Sequence, residues 1–311
     1  MAEYREIRAR HSMLEMCSNP ELAAEVTLQP IEHMEVDAAI LFSDILLPLV
    51  PMGLQLEYVE GDGPVIDNPV RSVKDLERLR PVDVDESLGH VASAVKLVTD
   101  ELGGRVPLIG FAGAPFTLAS YAIEGGSSRN HVLTKRFMYE EPDAWHALLG
   151  KMSAVVIDQL TAQVHAGVSA VQLFDSWVGH VGPDDYTEFV LPHSRSVFER
   201  IATLGVPMIH FGVGTTGLLE SMRDAGADVV GLDWRIPLDE GWRRLGPDTG
   251  VQGNLDPVTL FAPRDHIRKR VHDILAKADG QPGHIFNLGH GVLPETPVDN
   301  VKYVVDLVHE Y

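Results

Sequence analysis

Seven short apolar runs, separated by stretches with helical spacing, constrain this chain more than any other feature. They are Asp37–Phe42 (DAAILF), Val106–Phe111 (VPLIGF), Ala170–Phe174 (AVQLF), Pro207–Phe211 (PMIHF), Val229–Leu232 (VVGL), Gly250–Gly253 (GVQG) and His284–Leu288 (HIFNL). Each is continuous rather than alternating, the pattern of parallel strands covered on both faces. Between them, Pro142–Gly167 carries Trp145, Leu148, Leu149, Met152, Val155 and Val156 at steps of three and four, and Gly167 stops it. Asp184–Leu204, Thr216–Ala225, Asp265–Ala278 and Asp299–His309 read the same way. Asn19 before Pro20 reads as an N-cap followed by proline at the first helical position. Leu54, Leu56 and Tyr58 alternate with polar residues before Gly61-Asp62-Gly63, which predicts a hairpin outside the main sheet.

Repeated strand–helix units predict one α/β domain over residues 1–311. A doubly wound sheet would open its first helix with a glycine-rich turn, and neither GxGxxG nor GxxxxGK occurs. A (β/α)8 TIM-type barrel is therefore expected. Such a barrel closes with eight strands. Seven are legible and the first begins near residue 37. The expectation is a barrel lacking its first strand in this chain, the eighth being unread or upstream of Met1.

Charge and cysteine usage narrow the function. Lys and Arg number 25 against 45 Asp and Glu, a formal charge of −20. That field repels polyanions, so no nucleic acid and no anionic membrane is expected as partner, although local arginines could hold a small polyanion. The start MAEYREIRARHSM holds no apolar run of signal-peptide length, and Ala38–Leu56 is broken by Asp44, Pro48 and Pro51. The single cysteine, Cys17, excludes an internal disulfide and a cysteine-built zinc site, and suits a reducing cytoplasm.

Barrel active sites form where the strands end at their C-termini, so the residues after each run are the candidates. They are Ser43 and Asp44, the AGAP turn leading to Tyr121, Asp175 and Ser176, His210, Asp233, Asn254 with Asp256, and His290. Asp44 in LFSDILLPL is either a helix cap or buried pair, or a carboxylate facing a cationic or N–H-rich ligand. Tyr121 alone reads as a packed tyrosine, and Ser176 as a cap. Asp233 and Asp256 look like turn residues. His210 could be a buried, hydrogen-bonded histidine. His290 lies between glycines that offer little to pack against. The loop Ala122–Asn130 could hold an anion through its N–H groups, on weak grounds. No triad, HExxH or CxxC is present. The residues alone reach a cofactor-free barrel enzyme whose reaction is still open.

Longer motifs take the reading further. The runs AAILFSDIL, PLIGFAGAPFTLASYAIEGG, QLFDSWVGHVGP, VVGLDW, VQGNLDP and IFNLGHGVLPE occur in this order over almost the whole chain. Together they resemble the uroporphyrinogen decarboxylase family, in its bacterial spelling. The resemblance implies a cytoplasmic, homodimeric barrel enzyme without metal or organic cofactor. It would convert the four acetates of uroporphyrinogen III to methyls, giving coproporphyrinogen III. By the matching motifs, Asp44 meets the pyrrole N–H groups, Tyr121, Ser176 and His290 bind substrate, and Arg8 contacts substrate carboxylates. One departure stands out. The family carries an arginine-rich segment like MRQAGRYLP directly before the EYR motif, whereas here Glu3-Tyr4-Arg5 follows Met1-Ala2. Two rival readings follow: a truncated, impaired homologue that binds porphyrinogen or a partner subunit, and a corrinoid-linked methyltransferase. The latter needs zinc ligands that a chain with Cys17 alone does not supply.

Overall fold

The computed structural model describes residues 1–59 and 61–311. Among them run nine strands: β1 (Ala39–Ile40), β2 (Leu56–Val59), β3 (Gly63–Ile66), β4 (Leu108–Gly113), β5 (Ala170–Asp175), β6 (Met208–Gly212), β7 (Val229–Gly231), β8 (Gly250–Gln252) and β9 (His284–Ile285). Seven form one parallel sheet in the order β1-β4-β5-β6-β7-β8-β9. The hairpin β2–β3 pairs antiparallel apart from it, with Leu56 opposite Ile66. Every apolar run of the sequence thus supplies a strand. The outermost two ladder over only two residues each, because each has a partner on one side alone.

The sheet curls but does not close. Among the described residues β1 and β9 do not pair with each other, and no eighth strand lies between them. Their apolar residues Ile40 and Ile285 remain 42% and 40% exposed. Both chain ends bracket this slot. Arg5, in the helix Ala2–Arg8, donates to the carbonyl of Pro294 beyond β9 at 2.9 Å. His309, in the last helix, meets Asp37 just before β1 at 3.1 Å.

Helices pack along the outer face of the strands. Pro142–Ala166 ends where Gly167 takes the left-handed conformation, φ 117°. Near that end the Gln163 amide both accepts from the N–H and donates to the C=O of Phe111, each at 2.8 Å. Gly110 leaves the room, since a Cβ there would sit 2.5 Å from Gln163 Oε1. Asn19 caps Pro20–Met34, its side chain accepting from the Leu22 N–H at 3.0 Å. The stretch expected as one helix from Asp184 to Leu204 is helical without a gap from Pro183 to Ala202. Within it a π-helical turn, Tyr186–Val190, joins Pro183–Asp185 to Leu191–Ala202. Pro192 accounts for that turn, because its ring nitrogen has no hydrogen to give the carbonyl four residues back. Val84–Leu102, which the sequence reading passed over, buries Leu88, Val91, Val95 and Val98 at helical spacing. No helix among the described residues is long and apolar enough to cross a membrane.

Candidate active site

A cavity of about 460 Å³ lies at the mouth of the curled sheet. Its floor is aromatic. Phe111 from β4, Phe174 from β5 and Phe211 from β6 meet edge-to-face, with centroids 5.3 and 5.8 Å apart. Phe174 and Phe211 are register partners, so strand pairing alone brings them together. Gln172 and Gln252 also line the cavity, joined by a hydrogen bond of 3.3 Å. Ser43, Asp44, Ser176 and His290 form its polar rim.

Asp44 follows β1 and is half-buried. One carboxylate oxygen accepts the Leu46 N–H at 2.7 Å and leads the chain into the 3₁₀ turn Leu47–Leu49. The capping role weighed for this residue is therefore present, and it occupies only one oxygen. Burial pushes the Asp44 pKa up, while the Tyr58 hydroxyl and the Leu46 N–H favour the charged form. Tyr58 comes from β2, and its buried hydroxyl is turned toward Asp44 without reaching full hydrogen-bond geometry. Tyr121 is pushed up to about 12, first by burial and then by the Asp44 charge. Cys17 reaches about 12 for the same two reasons. A thiol and two phenols, all neutral, thus stand in the field of one carboxylate.

Ser176 and Trp177 follow β5 directly. The indole of Trp177 stacks on Tyr121 with centroids 3.7 Å apart and 24° between planes. His290 arrives on the loop after β9, which comes close to the β7 loop because residue 289 is glycine. A Cβ there would stand 2.6 Å from the backbone nitrogen of Trp234. Exposed at the mouth, His290 has its pKa lowered by partial desolvation and then by the Arg235 cation, with Asp233 opposing.

Asp44, Ser176 and His290 therefore share one cavity, and Tyr121 stands beside Asp44. Arg8 does not line this cavity; its guanidinium donates to the His11 carbonyl at 2.9 Å. Arg5 is the residue tied to the loop beyond β9. Asp233 accepts the Gly214 and Arg235 N–H groups, and Asp256 that of Val258, as turn residues do. His210 is sealed from solvent, in line with the buried reading. In the Ala122–Asn130 loop, Arg71 occupies the carbonyls of Ile123 and Glu124, so that end presents acceptors to a cation. Sequence reasoning missed Tyr58 and Arg235. Tyr58 reaches the site from a hairpin outside the sheet, and Arg235 lies two residues past a turn aspartate that pairs with it. A strand-end scan finds neither.

A uroporphyrinogen decarboxylase (URO-D) family model matches residues 1–311. The chain belongs to the uroporphyrinogen decarboxylase family. It is 56% identical to the uroporphyrinogen decarboxylase of Carboxydothermus hydrogenoformans over 310 residues, covering 100% of this chain and 89% of that one. It is 58% identical to that of Sorangium cellulosum over 309 residues, covering 99% and 88%. Among solved structures, a methyltransferase from Methanosarcina mazei superposes with a TM-score of 0.82 over 95% of this chain and 87% of that one. At 20% identity that likeness shows the fold alone. The parallel sheet with the helices around it is of the TIM-barrel type. Among the described residues no three His, Cys, Asp or Glu side chains converge as a metal would require.

Proposed function

We propose that this chain decarboxylates the four acetate side chains of uroporphyrinogen III, giving coproporphyrinogen III and carbon dioxide in porphyrin biosynthesis. Family membership supplies the reaction class. The observation that carries the site assignment is the half-buried Asp44 carboxylate, with one oxygen uncommitted above a floor of three phenylalanines. A tetrapyrrole offers flat apolar faces to such a floor and converging N–H donors to such a carboxylate.

The chemistry follows from charge. Breaking the bond between an acetate methylene and its carboxylate leaves an electron pair that needs a sink. A proton added to the adjacent pyrrole carbon makes the ring a cation able to accept that pair. Carbon dioxide departs, and a second proton converts the methylene to a methyl while the ring proton is returned. The net change exchanges one carboxylate and one proton for carbon dioxide. Asp44 favours the cationic intermediate over the neutral substrate, so its interaction grows toward the transition state. The low-dielectric floor strengthens it. In this reading the substrate is its own electron sink and neither metal nor organic cofactor takes part. Tyr121, Ser176 and His290 hold the macrocycle, and Arg8 would have to leave the His11 carbonyl to reach its carboxylates. The enzyme acts in the cytoplasm as a homodimer of single-domain barrels.

The test is product analysis after incubation with uroporphyrinogen III. Loss of up to four carboxylates, abolished by Asp44→Ala with substrate binding retained, is expected. Methyl transfer without decarboxylation, or unimpaired turnover by Asp44→Ala, would overturn the reading.

A further inference from the structure

Ser176 and Trp177 follow β5 with no intervening residue, so whatever fixes the last residue of that strand fixes them. That residue is Asp175, fully buried. One of its oxygens accepts from the Thr117 hydroxyl at 2.8 Å. The same hydroxyl oxygen accepts the backbone N–H of Trp177 at 3.3 Å. A hydroxyl has one hydrogen and two lone pairs, so giving the hydrogen to Asp175 leaves the lone pairs for Trp177. Thr117 is in the helix Pro115–Glu124, one turn before Tyr121, whose ring stacks on Trp177. Asp175, Thr117, Trp177 and Tyr121 thereby close a ring that binds the end of β5 to that helix. The Ala114 N–H, donating to the Phe174 carbonyl at 2.8 Å, adds a second tie between the same segments.

The far side of Asp175 is equally enclosed. Its other oxygen lies 3.7 Å from His210 Nε2, both side chains being wholly buried. His210 Nδ1 faces the Met222 carbonyl at 3.4 Å, which only accepts, so Nδ1 carries a hydrogen. Buried hydroxyls of Tyr186 and Ser194 belong to the same part of the core. A carboxyl group sealed there costs more than apolar packing would, and a turn or a cap does not require it. Its one committed partner is the hydroxyl that sets Trp177.

We propose that Asp175 and Thr117 are positioning residues of the decarboxylase site: through one shared hydroxyl they hold Ser176, Trp177 and Tyr121 in a single arrangement against the tetrapyrrole. The proposal rests on reading Tyr121 and Ser176 as substrate partners, and neither positioning residue touches the reacting atoms.

The decisive comparison is Thr117→Val, which keeps the shape and removes the hydroxyl, with Thr117→Ser, which keeps the hydroxyl. Each is measured for melting temperature, kcat and KM with uroporphyrinogen III. The emission of Trp177, one of four tryptophans, is isolated as the difference from Trp177→Phe. Thr117→Val should stay folded, raise KM about tenfold or more, and alter the Trp177 emission as the stack on Tyr121 loosens. Thr117→Ser should restore both. Wild-type KM and emission in Thr117→Val, or equal damage in Val and Ser variants, would overturn the proposal. Should Thr117→Val not fold, Thr117→Ala removes the same hydroxyl and is read the same way. Tyr121→Phe and Ser176→Ala run alongside. If these two leave KM unchanged, the substrate-partner reading fails, while the emission comparison still decides the clamp.

Discussion

Asp44 carries the proposed reaction, and its environment sets opposite expectations for folding and for turnover. Burial raises its folded-state pKa above the ordinary 3.8. A carboxyl group shifted upward favours the protonated folded state. Its contribution to stability is best below the unfolded pKa and is lost as pH rises through the folded one. At neutral pH the charge therefore weighs against folding. Asp44→Asn removes that charge and keeps an oxygen for the Leu46 N–H, so its melting temperature at pH 7 should not fall. Turnover should drop by about 10²–10³, the usual cost of removing one preorganised electrostatic partner. Calorimetry and steady-state kinetics on the same preparation separate the two, and a large fall in melting temperature would show that the carboxylate is chiefly structural. Tyr58 supplies a second test. Its hydroxyl favours the charged form of Asp44, so Tyr58→Phe should move the acid limb of the kcat/KM profile to higher pH. An unmoved limb would mean that Tyr58 does not reach the carboxylate in solution.

At the scale of elements, the loops matter as much as the strands. Gly289 lets the β9 loop approach the Trp234 backbone, and that approach sets His290 at the mouth. Gly289→Ala should push the loop outward, cost about 1–3 kcal/mol through overpacking, and raise KM more than it lowers kcat. Binding measured at unchanged KM would detach the loop's position from the substrate. Much of this architecture was legible in the residues. The seven strands showed because short, β-rich apolar runs such as VPLIGF recur between longer helical patterns, and the helix Pro142–Ala166 because its apolar spacing ends at a glycine. The π-turn inside 184–204 did not show because periodicity averages over a single proline, Pro192. Asp44, Ser176 and His290 were legible because strand ends point into the mouth of a barrel. Tyr58, Arg235 and Thr117 were not, since their roles depend on which segments fold beside them. Arg8 came from motif likeness alone, and its guanidinium here stays with His11.

Among the described residues the curled sheet has two edges that face an open slot. Edge strands expose unpaired N–H and C=O groups, a template for association with another chain. Here both edges are also apolar, at Ile40 and Ile285. Ile40 lines the candidate cavity as well, so the exposed edge of β1 borders the space that holds Asp44. Water there raises the local dielectric and weakens the interaction on which the proposed chemistry depends. The contacts from Arg5 to Pro294 and from His309 to Asp37 tie the chain ends across this side without completing a ladder. A strand-forming segment of a length able to lie between β1 and β9 should therefore act on three properties together. It should raise the melting temperature by several degrees, lower the tendency to form large oligomers, and raise kcat. Arginines placed on its inner face should further lower KM, because a substrate with eight carboxylates otherwise meets a chain of formal charge −20. Each charge-assisted hydrogen bond gained there is worth about 1.5–3 kcal/mol. Melting, size-exclusion chromatography and decarboxylation of the 311-residue chain and the extended chain, side by side, decide the matter. Equal values in all three would mean that the slot is closed in solution by other means and that the open edges have no bearing on catalysis.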